Sequence, residues 1–201
     1  MVNLANYRGL IFDMDGTLID SMPRSLAAWQ QTCEHYGYPY DGDYLHSLGG
    51  VPTRATIELL NDKFGRNHCP DEVTEYKHTV QESDSEMPAT FGAIVRLLVT
   101  ANDSQRVGVG TGSTRSHAME LLGHHQLLNR LNALVTACDV ALGKPHPETF
   151  LTVASQMGVP PEQCIVFEDT EIGLQAAQRA GMDCVLVESG ELREFYPAFF
   201  S

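Results

Sequence analysis

Positive charge is scarce in this chain. It has 13 Lys and Arg against 26 Asp and Glu, giving a formal charge of −13 over 201 residues, with no basic run anywhere. Binding to a phosphate backbone depends on clustered Lys and Arg, so nucleic acid is excluded as a partner. Cysteine is sparse and scattered: Cys33, Cys69, Cys138, Cys164 and Cys184 are odd in number and show no CxxC spacing. That excludes a disulfide framework and a structural zinc site and suits a reducing cytoplasm. None of the five opens the C-x5-R pattern of a cysteine-dependent phosphatase, because the sixth residue on is Pro39, Glu75, Lys144, Thr170 or Gly190. Long apolar runs are missing too. Nothing approaches the ~20 apolar residues of a membrane-spanning helix, and residues 1–8 lack the regions of a signal peptide. A soluble, cytoplasmic protein is expected, with no membrane partner.

What is present is an ordinary globular composition, 43% hydrophobic and 19% charged, long enough for one domain or one domain with an insertion. Short apolar runs that end in polar or glycine residues predict buried parallel strands. They are residues 9–12 into Asp13, 106–110 into Thr111, 133–135 with Lys144 after a loop, 164–167 into Glu168 and Asp169, and 184–187. Helical patterns lie between them. Residues 113–122 place Met119, Leu121 and Leu122 together before Gly123, and 147–157 offer Phe150, Leu151 and Ala154 before Gly158. Residues 171–180 space Ile172, Ala176 and Ala180 ahead of Gly181. Alternating strands and helices predict an α/β fold, a doubly wound, Rossmann-like parallel sheet.

The connection from Asp13 to the strand at Val107 is far longer than a crossover needs. Within it, Leu26, Trp29 and Cys33 mark a helix stopped at Gly37; Ile57, Leu59 and Leu60 mark a second, and Val73, Tyr76 and Val80 a third. The expected organisation is a core of residues 1–19 and 87–201 carrying a small helical insertion, residues 20–86. The apolar tail, Phe195 to Phe200, is expected to pack on its own domain.

Ligands of open α/β sheets bind outside the carboxyl ends of the strands. Asp13, Asp15, Thr111, Lys144, Glu168 and Asp169 all stand at or just after such ends, and that convergence marks the candidate site. A bare D-x-D is not enough: Asp41-Gly42-Asp43 has the same spacing and reads as a turn. Other motif readings fail. An EF-hand starting at Asp13 would need glycine and glutamate where Leu18 and Arg24 stand. Gly143-Lys144 lacks the first glycine and the Ser/Thr of a P-loop, having Cys138 and Pro145 there. Gly108-x-Gly110 has Ser113 in place of a third dinucleotide-binding glycine. Thr111-Gly112-Ser113 instead suits a loop whose amides and hydroxyls hold phosphate oxygens.

Asp13-Met14-Asp15-Gly16-Thr17, then Thr111, then Lys144-Pro145, then Glu168-Asp169 resemble the four ordered motifs of the haloacid dehalogenase-like hydrolases. The insertion after the first motif resembles that superfamily's C1 cap. The runs at 109–113 and 166–169 are similar to those of the β-phosphoglucomutase-like branch, especially bacterial fructose-1-phosphate/6-phosphogluconate phosphatases. The resemblance implies an Mg²⁺-dependent phosphatase acting on a small phosphorylated metabolite. By it, Asp13 is the nucleophile that becomes an aspartyl-phosphate, and Asp15 the general acid and base. Thr111 and Lys144 bind the transferring group, with the backbone of Met14, Gly112 and Ser113 completing the cradle. Mg²⁺ takes Asp13, the carbonyl of Asp15, and Asp169, with Glu168 in support. Gly50, Arg54 and Lys77 fall where cap residues meet substrate, and Arg54 or Lys77 is expected to grip a second anionic group.

The chemistry is consistent with this. A carboxylate attacks a dianionic phosphate ester only when charge is screened. Like charges ~4 Å apart cost about 4 kcal/mol per pair at an effective dielectric near 20, so four carboxylates facing one lysine call for a hard cation that keeps water, as Mg²⁺ does. The nearest rival is a phosphosugar mutase, but the cap histidine of such enzymes aligns with Ser25. A dehalogenase needs neither Asp15 nor a metal pair, and a non-catalytic sugar-phosphate binder has no use for Asp15. Asp20 reads as an N-cap or loop brace, and His124-His125 as surface. Oligomeric state is left open.

Overall fold

A computed structural model describes residues 2–83, 86–102 and 104–198. Its centre is strand β1 (Gly9–Phe12), flanked by β2 (Arg106–Gly110) and β4 (Cys164–Glu168), with β3 (Ala133–Val135) beyond β2 and β5 (Asp183–Glu188) beyond β4. These pair in parallel, and β6 (Glu191–Tyr196) closes the edge antiparallel to β5, giving the order β3-β2-β1-β4-β5-β6. Strand order reverses on either side of β1, which makes its carboxyl end a switch point.

Alternating side chains divide each inner strand between two apolar layers. Leu10, Phe12, Val107, Val109, Ile165, Phe167, Val185 and Val187 face one side, where Ile94 and Leu98 of α5 (Gly92–Val99) and Leu121 and Leu122 of α6 (Arg115–His124) cover them. Ile11, Val135, Val166 and Cys184 face the other, against α7 (Glu148–Met157) and α8 (Glu171–Arg179). Phe12 and Phe167 stack at 4.7 Å between centroids across the β1–β4 pair. Each buried side chain of this size stabilises the fold by roughly 1.5–3 kcal/mol. Glycine permits close layering: a Cβ on Gly108 would lie 2.4 Å from Val153 of α7.

Between β1 and α5 stand α1 (Met22–Tyr36), α2 (Gly42–Ser47), α3 (Thr53–Phe64) and α4 (Pro70–Ser83). They share a separate apolar cluster built on Trp29, Cys33, Leu45, Ile57, Leu60 and Val73. No helix among the described residues is long and apolar enough to cross a membrane.

Several local expectations need correction. Asp41-Gly42-Asp43 opens α2 rather than forming an isolated turn, and Asp41 caps it by accepting from the Tyr44 amide at 3.0 Å. Ser21, not Asp20, occupies the N-cap position of α1. Helix α6 runs through Gly123, and Ala118 takes the buried position expected of Met119, which is exposed. Leu59 and Leu151 are also exposed, leaving Ile57 and Leu60, and Phe150 and Val153, as the inward residues. The tail begins in β6, which was not anticipated: Phe195 is 41% exposed, while Tyr196 packs on the sheet. The Ala198 amide donates to Asp183, which also accepts from the Tyr7 hydroxyl at 2.5 Å. Phe199 and Phe200 lie outside the described residues. Of the two adjacent histidines, His124 is exposed and His125 half-buried, its Nε2 2.8 Å from the Pro88 carbonyl.

Candidate active site

Strand β1 delivers Asp13 to the carboxyl edge of the sheet. Its amide donates to the Phe167 carbonyl at 2.9 Å, continuing the β1–β4 pairing one residue past the strand. Lys144 arrives on the loop after β3, which Glu148 steadies by accepting from the Ala141 and Leu142 amides. The Lys144 ammonium donates to Asp13 Oδ1 at 2.6 Å and to Glu168 Oε1 at 2.8 Å. Asp13 and Lys144 are 2% exposed and Glu168 is 0% exposed. Burial alone would lower the Lys144 pKa, but Asp13 and Glu168 outweigh it and raise it, so the ammonium stays charged.

Glu168 ends β4, and its second oxygen accepts from the Thr170 amide and hydroxyl at 2.7 and 2.8 Å. Thr170 in turn caps α8 through the Gly173 amide. One threonine thereby starts the helix and orients the acid. Asp169 accepts from Thr17 Oγ1 at 3.1 Å. Gly16 makes this possible: its φ is +87°, a conformation that favours glycine, and a Cβ there would sit 2.1 Å from Asp169 Oδ2.

Asp13, Glu168 and Asp169 each offer an oxygen within 4.8 Å of the others. Asp13 Oδ2 and Asp169 Oδ2 accept no hydrogen bond from the described residues, whereas both oxygens of Glu168 do. Burial pushes the Asp13 carboxyl up to about 7, with Glu168 and Asp15 adding to the rise and Lys144 opposing it. Burial, then Glu168 and Asp13, raise Asp169 well above the usual carboxylate range. Hard oxygen donors crowded at this spacing, with only one ammonium among them, fit a divalent cation of the Mg²⁺ type.

Asp15 lies beside this cluster. Ser21 donates to its Oδ1 at 2.5 Å; Ser113 and Thr111 donate to its Oδ2 at 2.8 and 3.4 Å. Thr111 also accepts from the Ser113 amide at 3.0 Å. The Met14 side chain is buried in the core, so only its backbone borders the site.

A cavity of about 330 Å³ separates these residues from the inserted helices. Met22, Trp29, Leu45, Leu48 and Val51 give it an apolar wall; Ser25, Lys77, Gln81 and His117 are among its polar lining. The stretch 49–52 presses on the core loops: a Cβ on Gly112 would meet the Gly50 carbonyl at 2.1 Å, and one on Gly143 would meet Pro52 at 2.7 Å. Gly50 itself, at φ +81°, lies over the Lys144 chain.

The two cap cations differ. Arg54 borders the cavity but is exposed and ion-paired to Asp71 and to Glu58, the latter at 3.4 Å. Lys77 is buried, not on a solvated helix face. It donates to Gln81 Oε1 and lies 5.5 Å from the Trp29 ring centroid. Burial lowers its pKa to about 8, with Arg24 also lowering it and Asp15 opposing.

Sequence reading thus brought together Asp13, Asp15, Thr111, Lys144, Glu168 and Asp169, and the fold does place them at one rim. It gave Thr17 no role of its own and missed Ser21, Thr170, Gln81 and His117. Thr17 closes the first motif and Thr170 follows the last, and an acidic residue needing an orienting hydroxyl was the available signal. Gln81 and His117 had none, because a side-chain contact between α4 and α6 leaves no trace in the pattern of either segment.

A haloacid dehalogenase-like hydrolase family model matches residues 10–187. The fructose-1-phosphate phosphatase YqaB of Escherichia coli is 40% identical over 184 residues, covering 89% of this chain and 95% of that protein. A phosphorylated carbohydrates phosphatase of Thermotoga maritima is 30% identical, over 87% of this chain and 82% of its own. The crystal structure of a hydrolase from Pseudomonas syringae superposes with a TM-score of 0.83 at 26% identity, covering 91% of this chain and 85% of that one. With its four motifs meeting at one sheet edge and its match spanning nearly the whole length, the chain belongs to the haloacid dehalogenase-like hydrolases, as one of their phosphatases.

Proposed function

We propose that the chain removes phosphate from small phosphorylated carbohydrates of the fructose 1-phosphate or 6-phosphogluconate kind, through an aspartyl-phosphate on Asp13. The observation that carries this reading is the buried Lys144–Asp13–Glu168–Asp169 cluster facing a cavity of about 330 Å³, room for a sugar phosphate.

In the first step Asp13 Oδ2, which accepts no hydrogen bond from the described residues, attacks phosphorus while the ester P–O bond breaks. Asp15, within reach of the same pocket, gives its proton to the departing alkoxide. In the second step water attacks the acyl phosphate, its proton passes to Asp15, and phosphate and the Asp13 carboxylate are released. Lys144 holds Asp13 in place and offsets charge on the phosphoryl oxygens; Thr111 and the amides of Gly112 and Ser113 bind them. Asp13, Asp169 and the Asp15 carbonyl would hold Mg²⁺, with Glu168 in support. Bound there, it screens the repulsion between carboxylate and phosphate dianion. Residues 20–86 act as the cap that encloses substrate. Lys77, whose ammonium contacts no carboxylate among the described residues, is better placed than Arg54 to receive a distal anion.

Ser25 lines the cavity where the rival mutase carries its histidine, leaving the second step to water. Phosphate release from fructose 1-phosphate, 6-phosphogluconate and β-glucose 1-phosphate, with Mg²⁺ and with EDTA, tests the proposal. Magnesium-dependent release that EDTA abolishes is expected. Isomerisation of β-glucose 1-phosphate without free phosphate would overturn it.

A further inference from the structure

We infer that Gln81 and His117 are a pair of positioning residues that latch α4 onto α6 and hold the Lys77 ammonium toward the cavity. This rests on the reading above that Lys77 meets substrate.

Gln81 stands one helical turn after Lys77 on α4, and its Oε1 accepts from Lys77 Nζ. An ammonium can only donate, so this bond fixes which end of the amide is which. The Gln81 NH₂ therefore points the other way, to His117 Nε2 at 3.3 Å. An amide NH₂ also only donates, so His117 Nε2 must accept. That requires the neutral ring with its proton on Nδ1. Asp15 Oδ1 lies 3.9 Å from the same nitrogen, beyond hydrogen-bond reach.

The chain Lys77→Gln81→His117 thus runs in one donor direction, from cap to core, and every orientation in it is determined by its neighbour. Both ends are braced. The Gln81 carbonyl accepts from Arg24 Nε and Nη2 at 3.1 and 2.7 Å, tying α4 to α1. His117 sits in the first turn of α6, where its amide faces the capping hydroxyl of Thr114. Gln81 is 8% exposed and the His117 side chain 16%, so water competes little for the bond between them. Lys77, held by Gln81 and beside Trp29, keeps its remaining N–H bonds for the cavity.

Removing the acceptor on α6 should free the amide to rotate and release both the helix and the lysine. His117→Leu keeps bulk and removes the acceptor; His117→Gln restores one, because a glutamine Oε1 reaches about where the imidazole Nε2 stood. Two readouts are compared in wild type and both variants. One is the ratio of kcat/KM for the best-hydrolysed sugar phosphate to that for p-nitrophenyl phosphate. The other is amide hydrogen exchange along α4. In His117→Leu the ratio is expected to fall about tenfold, through KM, as for loss of one buried hydrogen bond, and α4 to exchange faster. His117→Gln should recover both. The inference is overturned if α4 exchange is the same in all three proteins, if the two substrates lose activity equally, or if His117→Gln behaves like His117→Leu. A wild type that hydrolyses no sugar phosphate sinks the proposed function instead, and the exchange comparison still decides the latch.

Discussion

Buried Lys77 makes a pH-dependent contribution that can be measured apart from catalysis. Its folded pKa, about 8, lies below the ordinary 10.5. Below about pH 8 both the folded and the unfolded chain carry the proton. Between about 8 and 10.5 only the unfolded chain retains it, so stability gained from this group rises with pH across that window, by up to about 3 kcal/mol. Urea unfolding should show wild-type stability rising relative to that of Lys77→Met between pH 7 and 10; a pH-independent difference would place the lysine in water. Gly173 gives a second test. A Cβ there would lie 1.9 Å from Glu168 Cδ. Gly173→Ala should push Glu168 off Lys144, costing roughly 1–3 kcal/mol on thermal unfolding and lowering kcat. The sequence named the acids but not the hydroxyls and glycines that aim them. Gly16, Thr17, Thr170 and Gly173 act through side-chain packing between β1, β4 and α8, and periodicity carries no record of such contacts.

At the level of elements, apolar runs located β1 to β5 because strands covered on both faces are apolar along their whole length. The same signal could not find β6. That strand is exposed from Glu191 to Phe195, so nothing in its hydrophobicity sets it apart from a tail. Helix faces were less legible still: Met119, Leu59 and Leu151 are apolar yet point outward, since spacing gives the period of a helix but not its rotation against the sheet. The inserted helices meet the core through backbone at Gly50 and Gly112, a contact no composition announces. Gly112→Ala would set a Cβ 2.1 Å from the Gly50 carbonyl. It should lift the stretch 49–52 and cut kcat/KM for sugar phosphates by about tenfold or more, with little loss of melting temperature. Unchanged kinetics would show that this contact has no part in closing the cavity.

Across the whole molecule, one arrangement accounts for the site. A parallel sheet whose order turns on β1 sends the ends of β1, β2 and β4 to the same rim, and the loop after β3 brings Lys144 there. Carboxylates buried at that rim are costly unless a cation offsets their charge. The raised pKa values of Asp13 and Asp169 express that cost. The measurement that tests this most directly is a rapid-quench single turnover with radiolabelled sugar phosphate and Mg²⁺, followed by tryptic mapping. Transient label in the peptide running from Gly9 to Arg24, which holds Asp13, is the predicted result. Phosphate released through the first turnover with that peptide unlabelled at every quench time, and released equally by Asp13→Asn, would contradict the account.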